Sequence, residues 1–197
     1  MAQTPVTGLS ATELQQVTQE PRRYGWHATL KAPFCLAEGH DVDSVMAGVQ
    51  SLCRGRTPFE LAPLRVTRMG NFLGLRPQPQ QPALEQLAAD CVRQLQPLAA
   101  PLGDNELARR RRAKLTPEQD ALLQAWGYPW VFDQFRFHLS LTGPLDTLPL
   151  AHIEALTDEA ARQFHGLSTC TIDRVSVFVE PTAGADFRLV EQVRFQP

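Results

Sequence analysis

The chain has 197 residues, 43% hydrophobic and 20% charged, a composition that excludes a disordered or low-complexity protein. Its 19 basic and 21 acidic residues nearly balance, so no overall positive charge draws it to nucleic acid. Four scattered cysteines have no zinc-ligand spacing, no apolar run reaches membrane-spanning length, and the first ten residues do not resemble a signal peptide. These features predict a cytoplasmic enzyme or binding module with no metal, no cofactor and no membrane contact.

The first part of the chain alternates helical and extended patterns. A capping-box pattern at Ser10 and Glu13 opens the first helix, and Asp41 can cap the second. Runs of aromatic, β-branched and apolar residues indicate the strands. In chain order we predict a helix over 11–19, a strand over 24–36, a helix over 42–53, and strands over 59–67 and 71–75.

The remainder continues with the same kinds of pattern. A helix-period stretch is followed by a run of four arginines, and Thr116-Pro117 then opens another helix that ends at Gly127. The predicted elements are a helix over 82–98, a helix over 117–127, a strand over 135–141, a helix over 150–164, and strands over 169–179 and 187–195.

Successive strands with helices between the hairpins indicate an α+β fold with antiparallel sheets. We expect a single bilobal domain over 1–197. Its first half spans about 10–76, a helical insertion about 82–127, and its second half about 134–196.

An internal repeat links the two halves. Trp26–Phe34 (WHATLKAPF) and Phe137–Leu145 (FHLSLTGPL) share the pattern aromatic-His-apolar-hydroxyl-Leu-x-x-Pro-apolar. Arg65-Val66-Thr67 and Arg174-Val175-Ser176 form a second matching pair. The offset is 111 positions from His27 to His138 and 109 from Arg65 to Arg174, so the register holds to within two residues. The repeat predicts a duplicated unit whose equivalent strands lie about a pseudo-two-fold axis, with a cleft between the lobes.

The repeated motif carries two imidazoles and two hydroxyls. Alternate residues of a strand share a face, so we expect His27 to project with Thr29, and His138 with Ser140, into one cleft. One histidine can act as a general base and the other as a general acid, because imidazole titrates near neutrality. The hydroxyls can donate hydrogen bonds to phosphoryl oxygens. The motif therefore predicts phosphodiester chemistry, with His27 and His138 catalytic and Thr29 and Ser140 binding phosphate.

Other residues are candidates for substrate contact. Lys31 and Thr142 lie two positions after the hydroxyls, and Tyr24 and Arg136 flank the motifs at the cleft wall. Each can equally serve packing or face solvent. The insertion adds a basic run that is either a solvated surface or a binding group for a second phosphate on the substrate: Arg109, Arg110, Arg111 and Arg112.

The sequences RRYGWHATLKAPF (22–34) and FRFHLSLTG (135–143), with the 108–128 stretch, resemble the DUF1045 branch of the 2H phosphoesterase superfamily. The resemblance covers nearly the whole chain. It implies a duplicated two-lobed antiparallel fold, metal-independent hydrolysis of a small phosphorylated substrate such as a ribosyl cyclic phosphate, and a role in phosphonate catabolism. Such proteins usually begin with an extra strand that this sequence lacks. We therefore expect an exposed sheet edge through which the chain can self-associate.

Three alternatives remain open. An RNA-end 2′,3′-cyclic phosphodiesterase or ligase-like protein would use the same histidines, but it calls for a basic groove and stacking aromatics, and only 8% of residues are aromatic. A non-catalytic phosphate-binding module would tolerate loss of a motif histidine, and both are present. A metal hydrolase is disfavoured because the histidines lack carboxylates at ligand spacing.

Overall fold

The computed structural model describes residues 5–79 and 81–197. Within these residues the helices are α1 (Ala11–Val17), α2 (Gln19–Arg22), α3 (Val42–Cys53), α4 (Pro82–Leu95), α5 (Asp104–Arg111), α6 (Pro117–Trp126) and α7 (Leu150–Gln163). The strands are β1 (Phe59–Leu61), β2 (Leu64–Met69), β3 (Phe72–Pro77), β4 (Leu139–Ser140), β5 (Cys170–Ile172), β6 (Arg174–Val179) and β7 (Arg188–Arg194).

The strands form small antiparallel sheets. β1 pairs with β5, the order β2-β3-β4 makes a three-stranded sheet, and β6 pairs with β7. The predicted α+β class with antiparallel sheets is confirmed. In the described part of the chain, no helix is both long enough and apolar enough to cross a membrane.

A helix from each half of the chain packs on the hairpin of the other half. α3, from the first half, packs on the second hairpin (β6–β7), where Leu52 and Val177 share one buried cluster. α7, from the second half, packs on the first hairpin (β2–β3), where Leu156 and Leu73 share another. α4 also covers α3, and α1 contributes to the cluster of α7, so each cluster combines residues from both halves of the chain.

The pairing of β1 with β5 shows how the two halves are related by symmetry. Glu60 lies opposite Thr171, Phe59 opposite Ile172, and Leu61 opposite Cys170. From 60 to 171 the separation is 111 positions, the same as from His27 to His138. When a two-fold axis relates two antiparallel strands, the residue at the axis pairs with its own repeat equivalent. The sequence repeat therefore corresponds to a pseudo-two-fold axis that passes near Glu60 and Thr171.

The predicted strand over 24–36 is wrong. The segment is irregular, with one isolated bridge between Leu36 and Ala99. Gly25 has a φ of +68°, in the left-handed region that an extended strand excludes. At the far end, Ala37 N–H donates to the Leu98 carbonyl (2.9 Å), so the chain is tied there to the turn that follows α4 instead of to a sheet.

Several other helix and strand boundaries differ from the prediction, and a proline or an aspartate lies at three of them. The strand predicted over 59–67 divides near Pro63, which has no backbone N–H, and the one over 169–179 divides at Asp173. The helix predicted over 82–98 ends at Leu95, where a 3₁₀ turn containing Pro97 takes over. The strand predicted over 135–141 is regular only at Leu139–Ser140, and Leu141 N–H donates to the Leu73 carbonyl just beyond it. The arginine run, for which no element was predicted within the helical insertion, lies at the C-terminal end of α5.

Replacing Gly74 with valine should destabilise the fold. A Cβ at Gly74 would lie 3.2 Å from the Leu139 carbonyl oxygen and 3.5 Å from the His138 Cβ. A branched side chain would push β4 away from β3, and we expect urea titration to show a loss of about 1–3 kcal/mol in the free energy of unfolding. Thr67→Val, directly across from Gly74 and of unchanged volume, is the control and should cost about 0.5 kcal/mol or less. Equal stability of the two variants would contradict the packing described here.

Candidate functional site

His138 immediately precedes β4. It lies on the face of the three-stranded sheet that also carries Ser140, Gly74 and Thr67, which we call the histidine face. Its Nδ1 contacts the Arg136 carbonyl at 2.7 Å, and its ring centroid lies 5.3 Å from that of Phe72. A Cβ at Gly74 would lie 3.2 Å from the Leu139 carbonyl oxygen, so glycine allows β4 to lie close to β3 beside His138. With Nδ1 donating to the carbonyl, the neutral ring carries its lone pair on Nε2, which is therefore available as a proton acceptor.

The surroundings of His138 favour its neutral form. Burial lowers the pKa of His138 from its ordinary value of 6.5, and the positive charges of Arg76 and His27 lower that pKa further. The hydrogen bond to the Arg136 carbonyl acts in the opposite direction and raises it. Because burial is the largest effect, the imidazole is held unprotonated near neutral pH, the state that a general base requires.

His27 repeats this anchoring within the irregular segment. Its Nδ1 contacts the Gly25 carbonyl at 3.2 Å, again the carbonyl two residues earlier, and its Nε2 contacts the Thr29 hydroxyl at 3.2 Å. The Tyr24 ring lies 5.3 Å from the His27 ring, and Phe178 of the second hairpin lies 6.1 Å away. Both motif histidines are therefore anchored through Nδ1, and each has a phenylalanine of a hairpin beside it.

The two halves of the motif are connected electrostatically. The charge of His27 acts on the pKa of His138, so the two imidazoles lie within electrostatic range of each other. Ser140 pairs directly with Gly74, which in turn pairs with Thr67. Cross-strand partners share a face, so Ser140 lies on the histidine face with His138. A common anion between the two Nε2 atoms remains a prediction.

The flanking candidates have different surroundings. Tyr24 stacks between His27 and Phe187, whose ring is 4.9 Å away, and so forms part of the wall beside His27. The Arg136 guanidinium folds back and donates to the carbonyls of Asp133 (2.6 Å) and Phe135 (2.7 Å). Arg136 thus contacts His138 through its backbone carbonyl, while its side chain stabilises the loop that contains it.

Lys31 and Thr142 do not share the surroundings of the histidines. The Thr142 hydroxyl is buried and accepts a hydrogen bond from Leu73 N–H at 3.0 Å, which ties it into the sheet. Lys31 Nζ donates to Gln96 Oε1 at 2.8 Å and lies 4.9 Å from the Phe34 ring centroid. Burial lowers the pKa of Lys31 to about 8. It lines a cavity of about 310 Å³ whose walls include neither motif histidine.

Acidic partners engage three members of the arginine run. Arg109 and Arg110 both bond Glu106, and Arg111 forms a two-pronged pair with Asp120 at 2.6 and 3.0 Å. The bond from Arg109 is the main reason that the pKa of Glu106 falls to about 2. Arg112, the fourth, is exposed just beyond α5. This arrangement is typical of a charge-compensated helix end.

Arg76, Phe72 and Phe178 lie near the histidines and were not predicted as site residues. Arg76 had no signal of its own, because its position beside His138 depends on how β3 pairs with β4. Among the described residues, no three His, Cys, Asp or Glu side chains are grouped so that they could hold a metal ion.

Comparison with known proteins identifies the family. The profile of a family described as "Protein of unknown function (DUF1045)" matches residues 29–188, which is most of the chain. The chain belongs to the DUF1045 family. The DUF1045 match includes His138 and Ser140, and it begins at Thr29, two residues after His27.

Two curated relatives align with nearly all of this DUF1045 chain. One, from Janthinobacterium sp. (strain Marseille), is 34% identical over 196 residues, and the other, from Laribacter hongkongensis (strain HLHK9), is 37% identical over 187 residues. Both are named ribose 1,5-bisphosphate phosphokinase PhnN. The alignments cover 98% and 95% of this chain but 43% of each relative, so the chain spans less than half the length of the relatives it matches.

NMR titration should place the pKa of His138 below 6.5. Arg76→Gln removes a positive charge and should move this pKa upward, whereas Arg136→Gln keeps the backbone carbonyl and should leave it unchanged. Since the folded-state pKa is depressed, His138 should contribute no pH dependence to stability well above 6.5. Stability should be lost as the pH falls through 6.5 toward the folded-state value. A pKa at or above 6.5 in the wild-type protein would contradict the described surroundings.

Proposed function

We propose that this chain is a phosphodiesterase that hydrolyses its substrate by acid–base catalysis between His27 and His138, without a metal ion. The observation that carries the proposal is the repeated anchoring of the two imidazoles. Each contacts the carbonyl two residues earlier through Nδ1, so that Nε2 is the nitrogen that can transfer a proton, and the charge of His27 acts on His138. Two such groups are what an in-line displacement at phosphorus needs, one for the attacking oxygen and one for the leaving oxygen.

The two histidines take different roles in this proposal. His138, with its lowered pKa, accepts a proton from water as the water oxygen attacks phosphorus. His27, in its protonated form, donates a proton to the leaving oxygen as the phosphorus–oxygen bond breaks. The products are a phosphate monoester and a free hydroxyl. Proton exchange with solvent returns His138 to neutral and His27 to its charged form.

The hydroxyls complete the proposed site. Ser140 lies on the histidine face two residues from His138, and Thr29 contacts His27 Nε2. When His27 is protonated, its Nε2–H becomes a donor, and the Thr29 hydroxyl is released to donate to a phosphoryl oxygen. Hydrogen bonds to these oxygens stabilise the charge that builds up in the transition state.

For the substrate we propose a small phosphorylated sugar, such as a ribosyl cyclic phosphate, in phosphonate catabolism. The resemblance to 2H phosphoesterases supports the chemistry, and the name of the two relatives supports a phosphorylated ribose. Phosphokinase activity is not proposed for this chain. Its two lysines follow Leu30 and Ala113, so the sequence has no Gly-Lys step of a kinase phosphate-binding loop.

Removing either histidine should abolish most of the activity. In a screen of cyclic and linear phosphodiesters that includes ribosyl cyclic phosphates and 2′,3′-cyclic nucleotides, hydrolysis should persist in EDTA. His27→Ala and His138→Ala should each lower kcat by about 10²–10⁴, because each removes one proton transfer. Ser140→Ala should cost less, about 1.5–3 kcal/mol of transition-state stabilisation.

The matched control is His165→Ala, at an exposed position just after α7, which should leave the rate unchanged. Full activity in the double variant of His27 and His138 would refute the proposal, as would loss of all activity in EDTA. Preference for 2′,3′-cyclic nucleotides over sugar phosphates would support the same catalytic mechanism but would indicate RNA ends as the substrate.

A further inference from the structure

The cavity beside Lys31 lies between the segment that follows the first motif and the helical insertion, and we call it the insertion cavity. Its volume of about 310 Å³ is within the usual range of small-ligand sites. Its main apolar walls are Phe34, Leu102, Leu107, Leu123, Trp126 and Val131. Neither motif histidine lines the insertion cavity, so it is separate from the proposed catalytic centre.

Lys31 carries the charge of the insertion cavity. Among the described residues that line it, Lys31 is the only one whose side chain is charged at neutral pH. Its ammonium group donates to the neutral amide oxygen of Gln96 at 2.8 Å and lies 4.9 Å from the centre of the Phe34 ring. Within residues 5–79 and 81–197, no carboxylate forms an ion pair with it.

Other partly buried cations of the chain have an acidic partner. Arg23 pairs with Glu180 at 2.7 Å, and Arg56 pairs with Asp90 at the same distance. Proteins normally compensate a cation in this way when it is withdrawn from water. Lys31 is withdrawn from water without that compensation, and burial accordingly lowers the pKa of its ammonium group to about 8. A ligand that brings a negative charge into the insertion cavity would supply what the lining lacks.

We propose that the insertion cavity binds a small aromatic monocarboxylate, with the carboxylate at Lys31 Nζ and the ring against the apolar walls. The single charge of such a ligand matches the single ammonium group. A phosphate dianion would bring a second charge that no side chain of the lining neutralises. The rings of Phe34 and Trp126 provide aromatic faces and edges that a planar ring can pack against.

Tyr128 offers a further contact for the carboxylate. It also lines the insertion cavity, and its hydroxyl makes no hydrogen bond with any of the residues that the structure describes. Burial raises the pKa of Tyr128, so the hydroxyl stays protonated at neutral pH and can donate a hydrogen bond to a ligand oxygen.

The test uses the two lysines of the chain as a matched pair. Lys31 lines the cavity, whereas Lys114 is exposed beyond α5. Isothermal titration with 2-naphthoate should show binding that Lys31→Met weakens about 10- to 100-fold, because the charge-assisted hydrogen bond is lost, and that Lys114→Met changes less than about twofold. The neutral isostere 2-naphthamide should bind the wild-type protein about 10- to 100-fold more weakly than 2-naphthoate.

Two further measurements use the wild-type chain. Affinity for 2-naphthoate should fall as the pH rises through about 8, since the ammonium form of Lys31 is lost there, while affinity for 2-naphthamide should not change. After reductive methylation with ¹³C-formaldehyde, 2-naphthoate should shift the NMR signal of Lys31 and leave that of Lys114 in place. This readout decides the matter even if Lys31→Met fails to fold.

The insertion cavity does not depend on the proposed hydrolysis. The double variant His27→Ala/His138→Ala should bind 2-naphthoate as tightly as the wild type, whether or not any diester is hydrolysed. Equal affinity for 2-naphthoate and 2-naphthamide, tighter binding of 2-naphthyl phosphate than of 2-naphthoate, or an unchanged Lys31 signal would each overturn the inference.

Discussion

Gly74 on β3 and Ser140 on β4 face each other across the sheet, and this cross-strand pair joins the hairpin of the first half to the histidine motif of the second. A side chain at Gly74 would meet the Leu139 carbonyl and the Cβ of His138, so the close approach depends on glycine. The register set here determines which residues surround His138. It brings Phe72 beside the ring, aligns Thr67 with Ser140, and places Arg76 next to the imidazole.

The exchange of elements between the halves makes the site and the core interdependent. The helix that covers each hairpin and the histidine motif that lies beside it both come from the opposite half. Phe187 N–H donates to the Arg23 carbonyl at 2.9 Å, and Phe178 lies near His27, so the first motif is held against the second hairpin. Neither histidine would have its present surroundings if the halves folded separately, because the hairpin beside each histidine belongs to the other half.

The repeat and the helix caps could be predicted from the sequence because they depend on residues that are close along the chain. Asp41 and Thr116 cap their helices as expected, and the offset of 111 reappears in the pairing of Glu60 with Thr171. What could not be predicted depends on long-range pairing. The apolar pattern of 24–36 favoured a strand, but a strand also needs a hydrogen-bonded partner, and Gly25 turns the segment away from extended geometry. Arg76 likewise became a site residue only through the β3–β4 register.

The duplicated motif is not symmetric in its chemistry. His138 has its pKa lowered by burial and by the charges of Arg76 and His27. Duplication can supply two equivalent imidazoles, but general acid–base catalysis needs one to accept and one to donate a proton. The burial of His138 provides a physical basis for that distinction, because it favours the neutral form of this imidazole.

The central claim is that the two motif histidines bind one phosphoryl group. A crystal structure of the protein soaked with orthovanadate, which mimics a phosphoryl group in transfer, tests this directly. We expect one vanadate with Nε2 of both His27 and His138 within hydrogen-bond distance, about 2.6–3.2 Å, and with the Ser140 hydroxyl as a further contact. Vanadate held by one histidine alone, or two imidazoles on opposite sides of the sheet with no anion between them, would contradict the account.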